Sequence, residues 1–187
     1  MKKNTVNIVT LGCSKNLVDS QKLMRQLTAG GYNVLADSTN PSDVVIINTC
    51  GFILDAKEES INTIMDYAAA IKDQGYGKLF VMGCLSQRYH NELVKELPEV
   101  DAWFGVDNPS EIVARLGKAF HPELTEERIL PAQKHYAYLK IAEGCDRTCA
   151  FCAIPGIRGP YRSVPMEELE REAAFLASGG VRELILI

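Results

Sequence analysis

No stretch of this chain approaches the ~18 uninterrupted apolar residues of a bilayer-crossing helix, so no membrane partner is expected. Met1-Lys2-Lys3 ahead of Val6–Leu11 has the outline of a signal peptide, but Asn7 and Thr10 break the apolar run. Gly12 ends it, and no small-residue cleavage site follows. The run reads as a buried first strand. An excess of positive charge is also missing: 20 Lys and Arg stand against 24 Asp and Glu, a net charge of −4. That excludes a generally basic, non-specific nucleic-acid binder and leaves only a local patch open. Histidine is scarce, and neither His121 nor His135 stands at zinc-finger spacing from a cysteine. What remains, 47% hydrophobic and 24% charged residues, is the composition of an ordinary globular chain of one or two domains.

Against these absences stand six cysteines. A cytoplasmic location is expected, where thiols stay reduced and clustered cysteines indicate metal or redox chemistry rather than disulfides. Cys145, Cys149 and Cys152 form Cys-x-x-x-Cys-x-x-Cys. Soft thiolates select iron–sulfur clusters, zinc or Cu(I). Structural zinc calls for a fourth Cys or His at short spacing, and most iron–sulfur clusters carry four cysteines. Three suggest a cubane whose fourth iron is free to hold a substrate or cofactor. Zinc and disulfides are the rival readings.

Residues 5 to 120 alternate strand and helix signals, which predicts an α/β fold with a parallel sheet covered on both faces. Strands are expected at Val6–Leu11, Asn33–Ala36, Asp43–Asn48, Lys78–Met82 and Ala102–Val106. Helices are expected at Val18–Ala29, Ala56–Lys72 (with Ile61, Ile64, Met65 and Ala68 on one face), Ser86–Leu97 and from Pro109 to Phe120. Residues 121–134, with two prolines and little periodicity, read as a linker. Tyr136–Ala142 reads as a strand feeding the cysteine loop. Pro165–Ser178 reads as a helix with Pro165 at its first position, and Glu183–Ile187 as a last strand. One βα unit and part of a second are too little for a closed (β/α) barrel.

Cys13, Cys50 and Cys84 each follow a predicted strand. Ligands of open α/β sheets bind at the carboxyl ends of strands, and parallel neighbours lie ~4.8 Å apart. The three can therefore meet at one sheet edge. A lone cysteine is by default a small buried hydrophobe; three in equivalent places, each beside a glycine, favour a shared site.

Cys-x-x-x-Cys-x-aromatic-Cys after a strand, with Phe151 in the aromatic position, resembles the motif of the radical S-adenosylmethionine (SAM) superfamily. The upstream domain with three dispersed cysteines narrows the resemblance to the methylthiotransferases. Leu11-Gly-Cys-Ser-Lys-Asn-Leu-Val-Asp-Ser20, Asn48-Thr-Cys-Gly-Phe-Ile53, Lys140-Ile-Ala-Glu-Gly-Cys145 and Cys152-Ala-Ile-Pro-Gly-Ile-Arg-Gly-Pro-Tyr-Arg-Ser163 resemble the RimO-type branch. That branch modifies an aspartate of a small-subunit ribosomal protein. The tRNA-modifying branch typically has Gly-Cys-Gln-Met-Asn where this chain has Gly-Cys-Ser-Lys-Asn.

The resemblance implies an open, flavodoxin- or Rossmann-like cluster domain at 1–120, a linker at 121–134 and the truncated start of a radical SAM barrel at 135–187. It implies a 4Fe–4S cluster on Cys145, Cys149 and Cys152 whose open iron chelates SAM, with Phe151 flanking the adenosine. A second 4Fe–4S cluster would sit on Cys13, Cys50 and Cys84. Arg158 and Arg162 would meet the SAM carboxylate or an acidic substrate. The product would be β-methylthioaspartate, made by a radical because an unactivated C–H bond offers no handle to acid or base. An electron donor and a sulfur donor are further implied partners. The family's later barrel strands and C-terminal TRAM domain are not in these residues, so the fragment is expected to bind iron but turn over poorly. The alternatives are methylthiolation of a tRNA adenosine derivative and a non-catalytic iron–sulfur or electron-transfer module.

Other residues have plainer expected roles. His90 is expected at the surface, Trp103 and Phe104 in packing, Glu167–Glu172 on a solvated helix face. Asp19 and Ser20 are expected to start the first helix.

Overall fold

The computed structural model describes residues 4–74, 77–130 and 135–187. Five parallel strands, β1 (Thr5–Thr10), β2 (Asn33–Ala36), β3 (Val44–Thr49), β4 (Lys78–Gly83) and β5 (Ala102–Trp103), form one sheet in the order β2-β1-β3-β4-β5. The α/β expectation holds. β3 is buried at every position because both sheet faces are covered, and alternation sorts its residues. Val44 and Ile46 join Val6, Ile8, Phe80 and Met82 beneath α1 (Ser14–Ala29) and α4 (Pro109–Arg115). Val45 and Ile47 join Val9, Leu79 and Val81 beneath α2 (Leu54–Gln74) and α3 (Cys84–Glu96), the latter kinked at Tyr89. Burying one such aliphatic side chain stabilises by about 1.5–3 kcal/mol.

Several boundaries move for identifiable reasons. α1 begins at Ser14 rather than Val18, because Cys13 is its extended N-cap and accepts the Leu17 N–H through its carbonyl. Asp19 and Ser20 therefore lie inside the helix and do not start it. α4 stops at Arg115 rather than Phe120. Gly117 adopts a positive φ of 72°, and the N–H groups of Gly117 and Lys118 return to the Ala114 and Val113 carbonyls in a Schellman stop. On α2, Ile64 and Ala68 are buried as expected, whereas Met65 is 53% exposed. Phe104 and Trp103 pack on opposite faces of the sheet, and His90 is exposed.

A 3-10 turn at Pro122–Leu124 follows α4, and residues 131–134 of the expected linker lie outside the described residues. The expected strand Tyr136–Ala142 splits in two. β6 (Tyr136–Leu139) pairs in parallel with β9 (Glu183–Leu186), and β7 (Ala142–Glu143) pairs antiparallel with β8 (Arg162–Ser163). Lys140, between them, turns inward to an ion pair. The short α5 (Ile154–Arg158) follows the cysteine loop, and α6 (Met166–Ser178) covers β6. Pro165 is the extended N-cap of α6 (ψ 143°), one place before the expected first helical position. Among the described residues, no helix is long and apolar enough to cross a membrane.

Candidate metal centre

The sheet order reverses between β1 and β3, and in such sheets the crevice outside the carboxyl ends of the strands at that point is where ligands bind. Cys13 follows β1, Cys50 follows β3, and Cys84 opens α3 directly after β4. The register sets Thr10 beside Asn48 and Thr49 beside Gly83, so the three cysteines leave the sheet at one edge. Their neighbouring glycines let these strand ends approach. A Cβ on Gly12 would lie 2.5 Å from the Cys50 Cβ, one on Gly51 2.7 Å from the Leu85 Cα, and one on Gly83 2.5 Å from the Asn48 Oδ1. The three cysteines line one cleft of about 820 Å³. Cys50 and Cys84 are buried and Cys13 is exposed. Burial pushes the Cys84 thiol up from its ordinary range, against the pull of Arg158.

Soft donors, glycine-permitted crowding and a cleft of this size suit a thiolate-bound cluster a few ångströms across. The amino end of α1, with Cys13 as its cap and no acidic residue in its first turn, also faces this edge and favours negative charge there. Among the described residues, no three metal-ligating side chains are drawn together tightly enough to hold a single ion.

Cys145, Cys149 and Cys152 share a loop between β7 and α5. The Cys152 N–H donates to the Cys149 carbonyl at 3.1 Å. The Cys145 N–H donates to the Gly159 carbonyl at 3.0 Å, and the Tyr161 N–H to Asp146 Oδ1 at 2.8 Å, closing the base of the loop. Phe151 projects from it, 92% exposed. Arg162 is exposed and paired with Asp107 at 3.0 Å.

Arg158 has a different position from the one expected of a residue facing a ligand alone. Its side chain is 4% exposed and surrounded by protein partners: Nη1 lies 2.9 Å from Glu143 Oε2 and 3.4 Å from Asp19 Oδ2, and Nη2 donates to Asn16 Oδ1 at 2.7 Å. Lys140 Nζ completes the network, 2.6 Å from Asp19 and 2.9 Å from Glu143. Burial opposes charge on Lys140, but Asp19 and Glu143 outweigh it and hold its pKa above the usual lysine range. Burial would likewise raise the Glu143 carboxyl, yet Lys140 and Arg158 hold it below the usual range. Asn16 reaches the sheet edge, its Nδ2 donating to the Leu11 and Thr49 carbonyls at 2.9 and 3.0 Å. Lys15 Nζ donates to the Ala142 carbonyl at 2.6 Å.

A second buried pair lies nearby. Glu172, expected on a solvated face, is 3% exposed and bridges Lys22 at 2.8 Å and Arg128 at 3.3 Å. Arg128 also donates to the Tyr138 carbonyl and to Gln21. The sequence reading passed over Asn16, Lys140 and Glu143, although all three lie inside the quoted motifs. The available signal was a lysine and a glutamate bracketing the strand end just before a cysteine loop.

Residues 5–105, more than half of the chain, match the uncharacterized protein family UPF0004. The chain is 56% identical over 188 residues to the ribosomal protein uS12 methylthiotransferase RimO of Phocaeicola vulgatus, with all of this chain and 44% of that protein aligned. The RimO of Bacteroides fragilis is 55% identical over 188 residues with the same coverage. That of Flavobacterium johnsoniae is 52% identical over 190 residues, spanning all of this chain and 43% of the relative. The chain thus spans less than half the length of these relatives. On the family match over the sheet domain, and on likeness to RimO-type methylthiotransferases from end to end, the chain belongs to the UPF0004 family.

Proposed function

We propose that the protein carrying this chain methylthiolates the β-carbon of an aspartate in a small-subunit ribosomal protein, by radical SAM chemistry with two 4Fe–4S clusters. The observation that carries the reading is the meeting of Cys13, Cys50 and Cys84 at one cleft, beside a three-cysteine loop tied to its rim. Likeness to proteins named for acting on uS12 supports the substrate class.

Cys145, Cys149 and Cys152 would hold one 4Fe–4S cluster, which together with SAM would supply one-electron radical chemistry. The chain's own residues prepare the surroundings. Cys13, Cys50 and Cys84 would hold the second group, and Phe52, Ile53 and Ile154 give the same cleft an apolar lining. Phe151 offers an open ring face to an adenine. Arg162 can leave Asp107 for an acidic group at small cost, since exposed ion pairs contribute about 0–1 kcal/mol. Arg128, Glu172 and Lys22 hold α6 against α1. We take 1–120 and 135–187 as two units joined by 121–134.

The test is methylthio transfer by the whole protein under strong reductant, read by mass spectrometry on a uS12-type ribosomal protein and on tRNA in parallel. Product on the ribosomal protein is expected. Product on tRNA alone would overturn the substrate, and failure to cleave SAM would leave the non-catalytic module.

A further inference from the structure

The buried network balances its charges, Lys140 and Arg158 against Asp19 and Glu143. Glu143 and Arg158 both line the strand-end cleft and flank the Cys145–Cys152 loop in sequence, and of the two Arg158 is the cation. It ends α5, the element that follows the Cys145–Cys152 loop, and its side chain lines the strand-end cleft. Its Nη2 donates at 2.7 Å to Asn16 Oδ1, the oxygen that the Cys84 Sγ approaches at 3.8 Å. Asn16 cannot swing away, because its amide nitrogen is held by the carbonyls after β1 and β3. A single amide thus joins the end of the loop segment, the strand ends and a cysteine sulfur. A guanidinium so placed is shielded from water, which weakens screening of its charge at short range, and it stays protonated under all working conditions.

We propose that Arg158 is a positioning residue that joins the Cys145–Cys152 loop to the Cys84 side of the strand-end cleft and raises the reduction potential of a 4Fe–4S cluster held by Cys13, Cys50 and Cys84. The inference rests on the cluster reading of that cleft. No bond forms or breaks in the step concerned: one electron passes from an external chemical reductant to the site, and no proton moves on the guanidinium. The fixed cation stabilises the added negative charge. Without it, Asp19 and Glu143 face only the Lys140 and Lys15 ammoniums, one positive charge fewer stands near the sulfur, and the added electron is disfavoured. Lysine in its place would keep the charge but lose the fork that reaches Asn16 and Glu143 together.

The experiment uses the whole protein with Cys145, Cys149 and Cys152 changed to Ala, so that only the strand-end site remains, reconstituted anaerobically with iron and sulfide. The midpoint potential is read by electron paramagnetic resonance during dithionite titration. Arg158→Gln is expected to lower the reduced-to-oxidised ratio about tenfold at a given potential, about 59 mV for a one-electron couple. Arg158→Lys is expected to recover most of that loss. Glu143→Gln, which leaves the cation less neutralised, is expected to shift the midpoint upward, and it decides the matter if Arg158→Gln does not fold. An Arg158→Gln midpoint equal to the parent's at full iron content overturns the inference, as does an unshifted Glu143→Gln when that variant decides. A parent that takes up no iron and sulfide overturns the cluster reading itself.

Discussion

Adding a single methyl group at Gly83 tests whether the close approach of the strand ends is required by this fold. Gly83 has φ 99° and ψ −162°, a region open essentially to glycine alone, and occupying it with alanine costs about 1–3 kcal/mol. The new Cβ would also lie 2.5 Å from Asn48 Oδ1 and 2.6 Å from the Thr49 carbonyl oxygen. The Thr49 backbone is fixed by the β3–β4 ladder, and Asn48 is fixed by donating to the Asn16 carbonyl and the Ser20 hydroxyl. Overpacking of that kind adds about 1–3 kcal/mol, so Gly83→Ala is expected to destabilise by about 4 kcal/mol. Gly31 supplies the comparison: its φ is 83°, but nothing lies within 4 Å of its would-be Cβ, so Gly31→Ala meets only the backbone cost of about 1–2 kcal/mol. For a chain of this size each kcal/mol moves Tm by about 2–4 °C. Urea unfolding followed by circular dichroism, with an unchanged m-value, gives the two losses directly. A Gly83→Ala loss within about 1 kcal/mol of the Gly31→Ala loss would refute the crowding argument.

Three further outcomes follow from the same geometry. Glu172→Gln strands Arg128 and Lys22 and is expected to lower stability by about 3–5 kcal/mol, where a solvated glutamate would cost almost nothing; urea unfolding distinguishes the two. Ile64→Ala should lose about 2–5 kcal/mol and Met65→Lys no more than about 0.5 kcal/mol, although the two residues are adjacent on α2. Because the Glu143 carboxyl titrates below its unfolded value of about 4.3, its contribution is whole above that value and is lost as the pH falls through the lower folded one. Glu143→Gln should therefore flatten the acid limb of stability against pH, and an equally steep limb would show that Glu143 carries none of it.

The fold was legible because its strands announce themselves. The run Val44–Ile47 has no solvent face to mark, and the glycines and prolines between runs leave little choice of topology. Positions decided by a partner were not legible. Met65 obeys the helical spacing of Ile61 and Ala68, but it stands outside the face that Ile64 and Ala68 bury and is left 53% exposed. Glu172 stands in a run of exposed glutamates, and only the arrival of Arg128 and Lys22 from elsewhere in the chain makes its burial tolerable. The three strand-end cysteines could be grouped from sequence, since each follows a strand of one parallel sheet. That Arg158 would turn toward Asn16 rather than outward could not, because the contact spans residues far apart in the chain.

The clearest case is the opening of α1, where a polar run conceals an interface. Asn16 and Ser20 are fully buried against the sheet edge, together with Leu23 and Leu27 further along. Lys15, Asp19 and Lys22, spaced four and three residues apart on a neighbouring stripe, bond to Ala142, to Lys140 and Arg158, and to Glu172. One helix therefore presents an edge-facing side to the strand-end cysteines and a charged side to the segment carrying the other three. Its N-cap is Cys13 itself, so tilting α1 to change the second contact also moves a thiol of the first. In a single polar stretch read alone, Asp19 and Ser20 look like residues that begin a helix. With the helix already under way from Ser14, their spacing instead ties the two cysteine sites to one rigid element. Within this reading, substitutions on that stripe should alter both sites together rather than either one alone.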